Sequence, residues 1–166
     1  MECHGNFRSC SCTSSRCGHK IHDSTDCERS FMQGSTYTCP KCGSLVKPDV
    51  VFFGEELPMR FQDLISDDVD ACDLLVVMGT SLLVAPVSSI PRWVGKDVPR
   101  ILINRELVGD FRRQDSIRKA ALDQASLSAS RDVFVEGDCD DGVHNLCQHV
   151  GSEWEEQLHE IFKTTQ

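Results

Sequence analysis

Four cysteines in two close pairs, Cys12-x4-Cys17 and Cys39-x2-Cys42, constrain this chain more than any other feature of it. Two thiol pairs joined by a linker of about twenty residues put four soft ligands at the corners of a tetrahedron, the arrangement zinc accepts in closed structural sites. From Arg8 to Ser44 the sequence is rich in Ser, Thr, Cys and charge, with almost no apolar periodicity. Such a segment lacks the material for a conventional core, so its stability is expected to come from the metal. Cys10, Cys27, His19 and His22 are competing donors; spacing selects Cys12, Cys17, Cys39 and Cys42 and leaves open an exchange of Cys10 for Cys12. Disulfides are the other use of such pairs. The polar linker and a Met1-Glu-Cys-His start without basic or apolar signal segments point instead to a reducing compartment, nuclear or cytoplasmic. The six further cysteines, Cys3, Cys10, Cys27, Cys72, Cys139 and Cys147, are scattered and do not form a disulfide framework.

The rest of the chain has enough apolar material for a core: 40% of its 166 residues are hydrophobic and 26% charged. Its 26 acidic against 17 basic side chains give a net charge of −9, with no lysine and arginine cluster. That balance argues against electrostatic binding to nucleic acid or to an anionic membrane and favours basic partners. No run approaches the ~18 apolar residues of a membrane-spanning helix.

In chain order, His4 beside Gly5 is a titratable imidazole next to a flexible backbone position, which on residue type alone reads as an ordinary surface histidine. Val50 to Phe53 is a short β-prone run, and Leu57, Phe61, Leu64 and Ile65 give Leu57 to Val69 the spacing of an amphipathic helix. Ala71 to Met78 is nearly all apolar, the mark of a parallel strand buried on both faces, and it ends at Gly79, Thr80 and Ser81. Small polar residues at the carboxyl end of such a strand form the crevice where open α/β sheets take nucleotides. Pro86 to Val94 reads as a helix, Arg100 to Asn104 as the next buried strand and Asp132 to Glu136 as a third. Leu107 to Arg131 is mixed and charged, a loop or irregular helix. Leu146, Val150, Trp154, Leu158 and Ile161 share one core-packing face of two closing helices if the chain bends at Gly151.

Several motifs in one order then carry a family resemblance: Glu2-Cys-His4-Gly5-Asn-Phe7, the four cysteines, Leu45-Val-Lys-Pro-Asp-Val-Val-Phe-Phe-Gly-Glu55, Met78-Gly-Thr-Ser-Leu82 and Leu102-Ile-Asn-Arg-Glu106. Together they resemble the sirtuins, NAD-dependent protein deacylases, and come closest to the eukaryotic branch that includes tubulin and histone deacetylases. The resemblance implies that His4 is the general base, a task suited to an imidazole of unperturbed pKa about 6.5. It implies that Cys12, Cys17, Cys39 and Cys42 hold structural zinc, and that Val51 and Phe52 lie in the groove for the acyl-lysine peptide, which adds as a strand. For NAD it implies contacts from Gly79, Thr80 and Ser81, from Asn104, Arg105 and Glu106 near the adenosine ribose, and from Cys139 beside the adenine. Arg105 stands where many relatives have lysine and keeps the charge.

The implied fold is α/β, the carboxyl-terminal half of a Rossmann-like parallel-sheet domain with a small inserted zinc ribbon. Residues 1–8 are then a core fragment with the base, 9–46 the zinc module and 47–166 the NAD-binding half. The implied activity is removal of acetyl groups from protein lysines, with histones or tubulin among the candidate partners and NAD and zinc as cofactors. Sirtuin catalytic domains open with a Gly-rich phosphate loop, whereas the eleven glycines here never fall as Gly-x-Gly, so the amino-terminal half of that domain is expected to be missing and turnover incomplete. Two other readings are a zinc-bearing module that captures peptides or partners without turnover, and a structural zinc ribbon joined to an unrelated α/β domain. Removing metal with a chelator is expected to unfold Arg8 to Ser44; limited proteolysis checks it, and unchanged resistance of that segment would count against the metal.

Overall fold

The computed structural model describes residues 1–120 and 130–164, which fall into two compact units, Met1–Ile65 and Ser66–Gln166. The first is built on a four-stranded antiparallel sheet of order β2-β1-β4-β3: β1 is Gly5–Cys12, β2 Lys20–Ile21, β3 Tyr37–Thr38 and β4 Leu45–Val50. A helix, α1 (Thr25–Met32), lies between β2 and β3. Between the pairs Gly5↔Val50 and Cys10↔Pro48, five steps along β1 accompany two along β4. The ladder is interrupted just where Pro48 has no N–H to offer it.

This unit has more structure than its composition suggests. Cys10, Cys27, Cys12, Cys39 and Val46 are buried together, with Cys17, Ile21, Phe31 and Tyr37 packed around them. The core that was expected to be absent is a small one made largely of cysteines, which bury readily as compact hydrophobes. The β-prone run at Val50–Phe53 is also displaced. The strand is Leu45–Val50, and Phe53 and Gly54 form a turn.

The helix α2 (Met59–Asp70) follows Pro58, whose carbonyl accepts the Phe61 N–H at 2.8 Å, and buries Phe61. It runs across the division between the units. The second unit holds a three-stranded parallel sheet of order β5-β6-β7, with β5 Leu75–Met78, β6 Arg100–Asn104 and β7 Asp132–Glu136. A short 3-10 turn (Val87–Ser89) and α3 (Ile90–Trp93) connect β5 to β6, and α4 (Gly109–Ala120) follows β6. Past β7 come α5 (Cys139–Val150) and α6 (Ser152–Thr164), bent apart at Gly151 as expected. The parallel sheet and the antiparallel cysteine module bear out the α/β class. Among the described residues no helix is long and apolar enough to cross a membrane.

Three expectations change in this unit. The apolar run Ala71–Met78 yields a strand only from Leu75, and as the sheet's edge it is half-buried, with Met78 45% exposed. The strand buried on both faces is the central β6, where Leu102 and Ile103 are at most 1% exposed. Part of the charged stretch Leu107–Arg131 is a regular helix, α4, anchored by Phe111 against Leu82 and Leu102; residues 121–129 lie outside the described residues. The closing helices pack on each other, yet Val150 and Trp154 are both 58% exposed and Ile161 is 61% exposed, so their apolar stripe is only partly covered.

One buried cation ties this unit together. Arg100, 0% exposed at the start of β6, donates to Asp132 Oδ1 and Oδ2, each at 2.6 Å, to Asp110 Oδ2 at 2.9 Å and to the Pro91 carbonyl, and lies over the Phe111 ring. It thereby joins α3, β6, α4 and β7. Burial works against its charge, but the two carboxylates outweigh that and raise its pKa. Replacing it with leucine leaves two carboxylates without their cation, and denaturant unfolding of the second unit is expected to show a loss of about 3–5 kcal/mol. A loss under about 1 kcal/mol would mean that the network relaxes without it.

Candidate functional site

The metal centre grows from the ends of the first unit's strands. β1 delivers Cys12, and a turn in which the Cys17 and Gly18 N–H groups both donate to the Ser14 carbonyl brings Cys17 back beside it. A second tight turn carries Cys39 and Cys42, closed by the Gly43 N–H on the Cys39 carbonyl at 2.8 Å and the Cys39 N–H on the Ser44 carbonyl at 2.7 Å. All four sulfurs lie within 4.8 Å of one another, with Cys12 and Cys42 Sγ 3.4 Å apart and Cys17 and Cys39 Sγ 3.9 Å apart. A tetrahedron with metal–sulfur bonds of about 2.3 Å has edges of about 3.8 Å, so the set fits zinc, while a disulfide needs about 2.05 Å. The open choice between Cys10 and Cys12 is settled in favour of Cys12, since Cys10 is buried against Cys27. His19 and His22 are outside the quartet.

Protonation in this cluster is uneven. The Ser44 hydroxyl and N–H, followed by the Cys12 thiol, hold Cys42 down to about 6. The Ser14 N–H favours the Cys12 thiolate, but burial and the neighbouring thiols push it up to about 12. Four sulfurs this close share their protons until a cation replaces them, at which point all four become thiolates.

At the other end of β1, His4 sits in a turn closed by the Gly5 N–H on the Glu2 carbonyl at 3.1 Å, with its side chain exposed. Its carbonyl accepts the Val51 N–H at 2.8 Å. The residue expected to be the base is thus joined through its backbone to the first residue of the expected peptide loop. Gly5 makes this possible: its φ is +73°, and a Cβ there would lie 1.9 Å from the Asp49 carbonyl oxygen. Phe52 is 49% exposed and Phe53 96% exposed, an apolar tip on an otherwise acidic loop.

In the second unit the three parallel strands end at one cavity of ≈ 730 Å³. Gly79, Thr80 and Ser81 line it from the end of β5, Asn104, Arg105 and Glu106 from the end of β6, and Cys139 from the start of α5. All seven residues expected to contact the cofactor therefore converge. Two bonds beyond the ladder, Gly79 N–H to the Ile103 carbonyl and Gly137 N–H to the Asn104 carbonyl, each 3.2 Å, keep the strand ends in step. Gly79 has φ +63°, and a Cβ there would come within 3.3 Å of Cys139 Sγ. The Asn104 side chain donates to the Glu106 carbonyl at 2.8 Å, which folds the turn after β6.

Sequence reasoning missed Val108, Gly137, Asp138, Asp140 and Asp141, which share the lining. Their signal was available as Gly137-Asp-Cys-Asp140, a polar run straight after a short apolar strand. Asp138 does more than line the wall, since it holds the Arg105 guanidinium at 2.5 Å. Arg105's pKa is raised by that hydrogen bond. With Glu106, Asp138, Asp140 and Asp141 against one arginine, the lining is acidic and suits a nucleoside more than its phosphates.

The Sir2 family model matches residues 1–86, just over half of the 166-residue chain. NAD-dependent protein deacetylase sirtuin-2 of Danio rerio is 39% identical over 98% of this chain and 43% of its own length. NAD-dependent protein deacetylase hst2 of Schizosaccharomyces pombe is 34% identical over 99% of the chain and 44% of its own length. NAD-dependent protein deacetylase sir-2.1 of Caenorhabditis elegans is 35% identical over 95% of the chain and 23% of its own length. The chain spans less than half the length of these curated relatives. With the four-cysteine centre and the motif order in place, the family match shows that this chain belongs to the Sir2 family.

Proposed function

We propose that this chain carries the zinc module, the general base and the adenosine-side cofactor contacts of an NAD-dependent protein-lysine deacetylase. The reading rests on one observation above the others. Gly79, Thr80, Ser81, Asn104, Arg105, Glu106 and Cys139, taken from three separate stretches of sequence, line a single cavity at the carboxyl ends of adjacent parallel strands. The functional division proposed is 1–8, 9–46 and 47–166.

The reaction is transfer of an acetyl group from a lysine side chain to ADP-ribose, with nicotinamide released and one water consumed. When bound, NAD supplies the departing nicotinamide and the ribose hydroxyl that receives the acetyl group. The chain's own part is narrower. Gly79 lets backbone approach a ribose closely, and Asn104 and Glu106 shape the turn that faces it. Arg105, held by Asp138, keeps its charge directed along the wall instead of free to draw in phosphates. His4, exposed in the turn before β1, accepts a proton at a ring nitrogen. Val51 and Phe52 take the peptide as an added strand beside it. Zinc does no chemistry here; its four thiolates hold the ends of β1 and β4.

Acetylated lysine peptides or proteins are the proposed substrates, histones and tubulin among them. The net charge of −9 supports basic peptides and argues against nucleic acid or an anionic membrane surface. None of the ten cysteines is paired in a disulfide, which supports a reducing nuclear or cytoplasmic setting.

In the protein that carries these residues, His4→Ala is expected to lower deacetylation of an acetyl-lysine peptide by about 10²–10⁴-fold, with zinc content unchanged. Turnover retained within a few fold would overturn the role of His4. Gly79→Val is expected to fill the cavity beside Cys139 and abolish binding of ADP-ribose measured by calorimetry. Undiminished binding would mean that the cavity is not the cofactor's.

A further inference from the structure

The loop from Val50 to Glu55 is held by a clamp that none of the site residues explains. Lys47, on β4, donates from Nζ to the Val50 carbonyl at 2.7 Å and to Glu55 Oε2 at 2.8 Å. The same Glu55 oxygen accepts the Phe52 N–H at 3.0 Å, and the Glu55 N–H returns to the Phe52 carbonyl at 3.0 Å. Lys47 Nζ also sits 4.5 Å from the centre of the Phe52 ring, within cation–π range. One lysine and one glutamate thus hold the backbone on both sides of Val51, whose own N–H is taken by the His4 carbonyl.

Global stability does not account for this arrangement. The Lys47 and Glu55 side chains are 30% and 41% exposed, and ion pairs in such positions add little to folding. Their bonds go instead to one short loop. Phe52 and Phe53 at its tip are exposed, so little apolar packing holds it in one conformation. A strand that adds to an edge binds more weakly when that edge must first be ordered.

We propose that Lys47 and Glu55 are positioning residues that pre-set the Val51–Phe53 backbone, and its distance from His4, for the incoming acyl-lysine peptide. The assignment rests on the reading that Val51 and Phe52 take that peptide. Neither Lys47 nor Glu55 touches the reacting groups. The Glu55 carboxylate, its pKa lowered by the hydrogen bond from Lys47 and then by the Phe52 N–H, stays ionised at neutral pH, so the clamp is closed under working conditions.

Hydrogen exchange on the full chain, in parallel with titration by a short peptide bearing one acetyl-lysine, tests this. Glu55→Ala and Lys47→Met are expected to raise exchange at the Val51 and Phe52 amides at least tenfold, while amides of β1 near Cys10 keep their protection and zinc content stays the same. Peptide affinity is expected to fall about tenfold, with affinity for ADP-ribose unchanged. Lys47→Arg, which keeps the cation, is expected to restore both loop protection and peptide affinity. Exchange unchanged in both variants would overturn the clamp, and faster exchange with unaltered peptide affinity would overturn its positioning role. A parent chain that takes up no peptide would overturn the reading of Val51 and Phe52 instead, and exchange would still decide the clamp.

Discussion

Four sulfurs within 4.8 Å of one another are the constraint on which the first unit depends. As thiols they offer one another only weak hydrogen bonds, and as thiolates they repel; a divalent cation removes both problems at once. The buried residues nearby are mostly cysteines too, so no large apolar core stands in reserve if the cation is lost. The consequence reaches further than the module. Cys12 and the His4–Gly5 turn lie at opposite ends of the single strand β1, which spans on the order of 20 Å at 3.3 Å per residue. β4, paired with β1, hands the chain on from Val46 beside the metal cluster to Val51 beside His4. The pairing of β1 with β4 thereby links the position of the cysteine cluster at one end to that of the His4 turn and the Val51 loop at the other.

The second unit solves a different problem. Among the described residues its sheet has three strands, and the central strand begins with a buried guanidinium in place of another apolar side chain. Desolvating that charge is unfavourable, and hydrogen bonds to the two carboxylates and to the Pro91 carbonyl offset the penalty. The network lies at the amino-terminal end of β6, while the cavity lies at the carboxyl ends of β5, β6 and β7. Stability and binding are thus at opposite ends of the same strands. The cavity end is free to carry glycine, hydroxyls and carboxylates.

Much of this was legible in the sequence, and the reasons differ from place to place. Arg100–Asn104 and Asp132–Glu136 matched their strands because a parallel strand in mid-sheet or paired along its whole length leaves a plain apolar run. Ala71–Cys72-Asp-Leu74 was read as strand because hydropathy alone does not mark where pairing with β6 begins. Within Arg8 to Ser44 the strands and α1 were missed because their core residues are cysteines, which spacing rules treat as ligands and not as packing. Phe111 was overlooked in a charged stretch, although one aromatic was enough to seat α4. At the cavity, motif resemblance supplied the residues at the ends of β5 and β6, and the polar run after β7 carried a signal for Asp138, but its pairing with Arg105 is visible only in the fold. Lys47 and Glu55 were in view as parts of a motif, eight residues apart, and the turn that joins them is a property of three dimensions.

The most direct measurement of the central claim is X-ray absorption at the zinc edge on the purified chain, because it counts the donors themselves. One zinc per chain surrounded by four sulfurs at about 2.3 Å is the result expected from Cys12, Cys17, Cys39 and Cys42. A shell containing nitrogen, as from His19 or His22, or the absence of stoichiometric zinc, would contradict the idea that these four thiolates organise the unit.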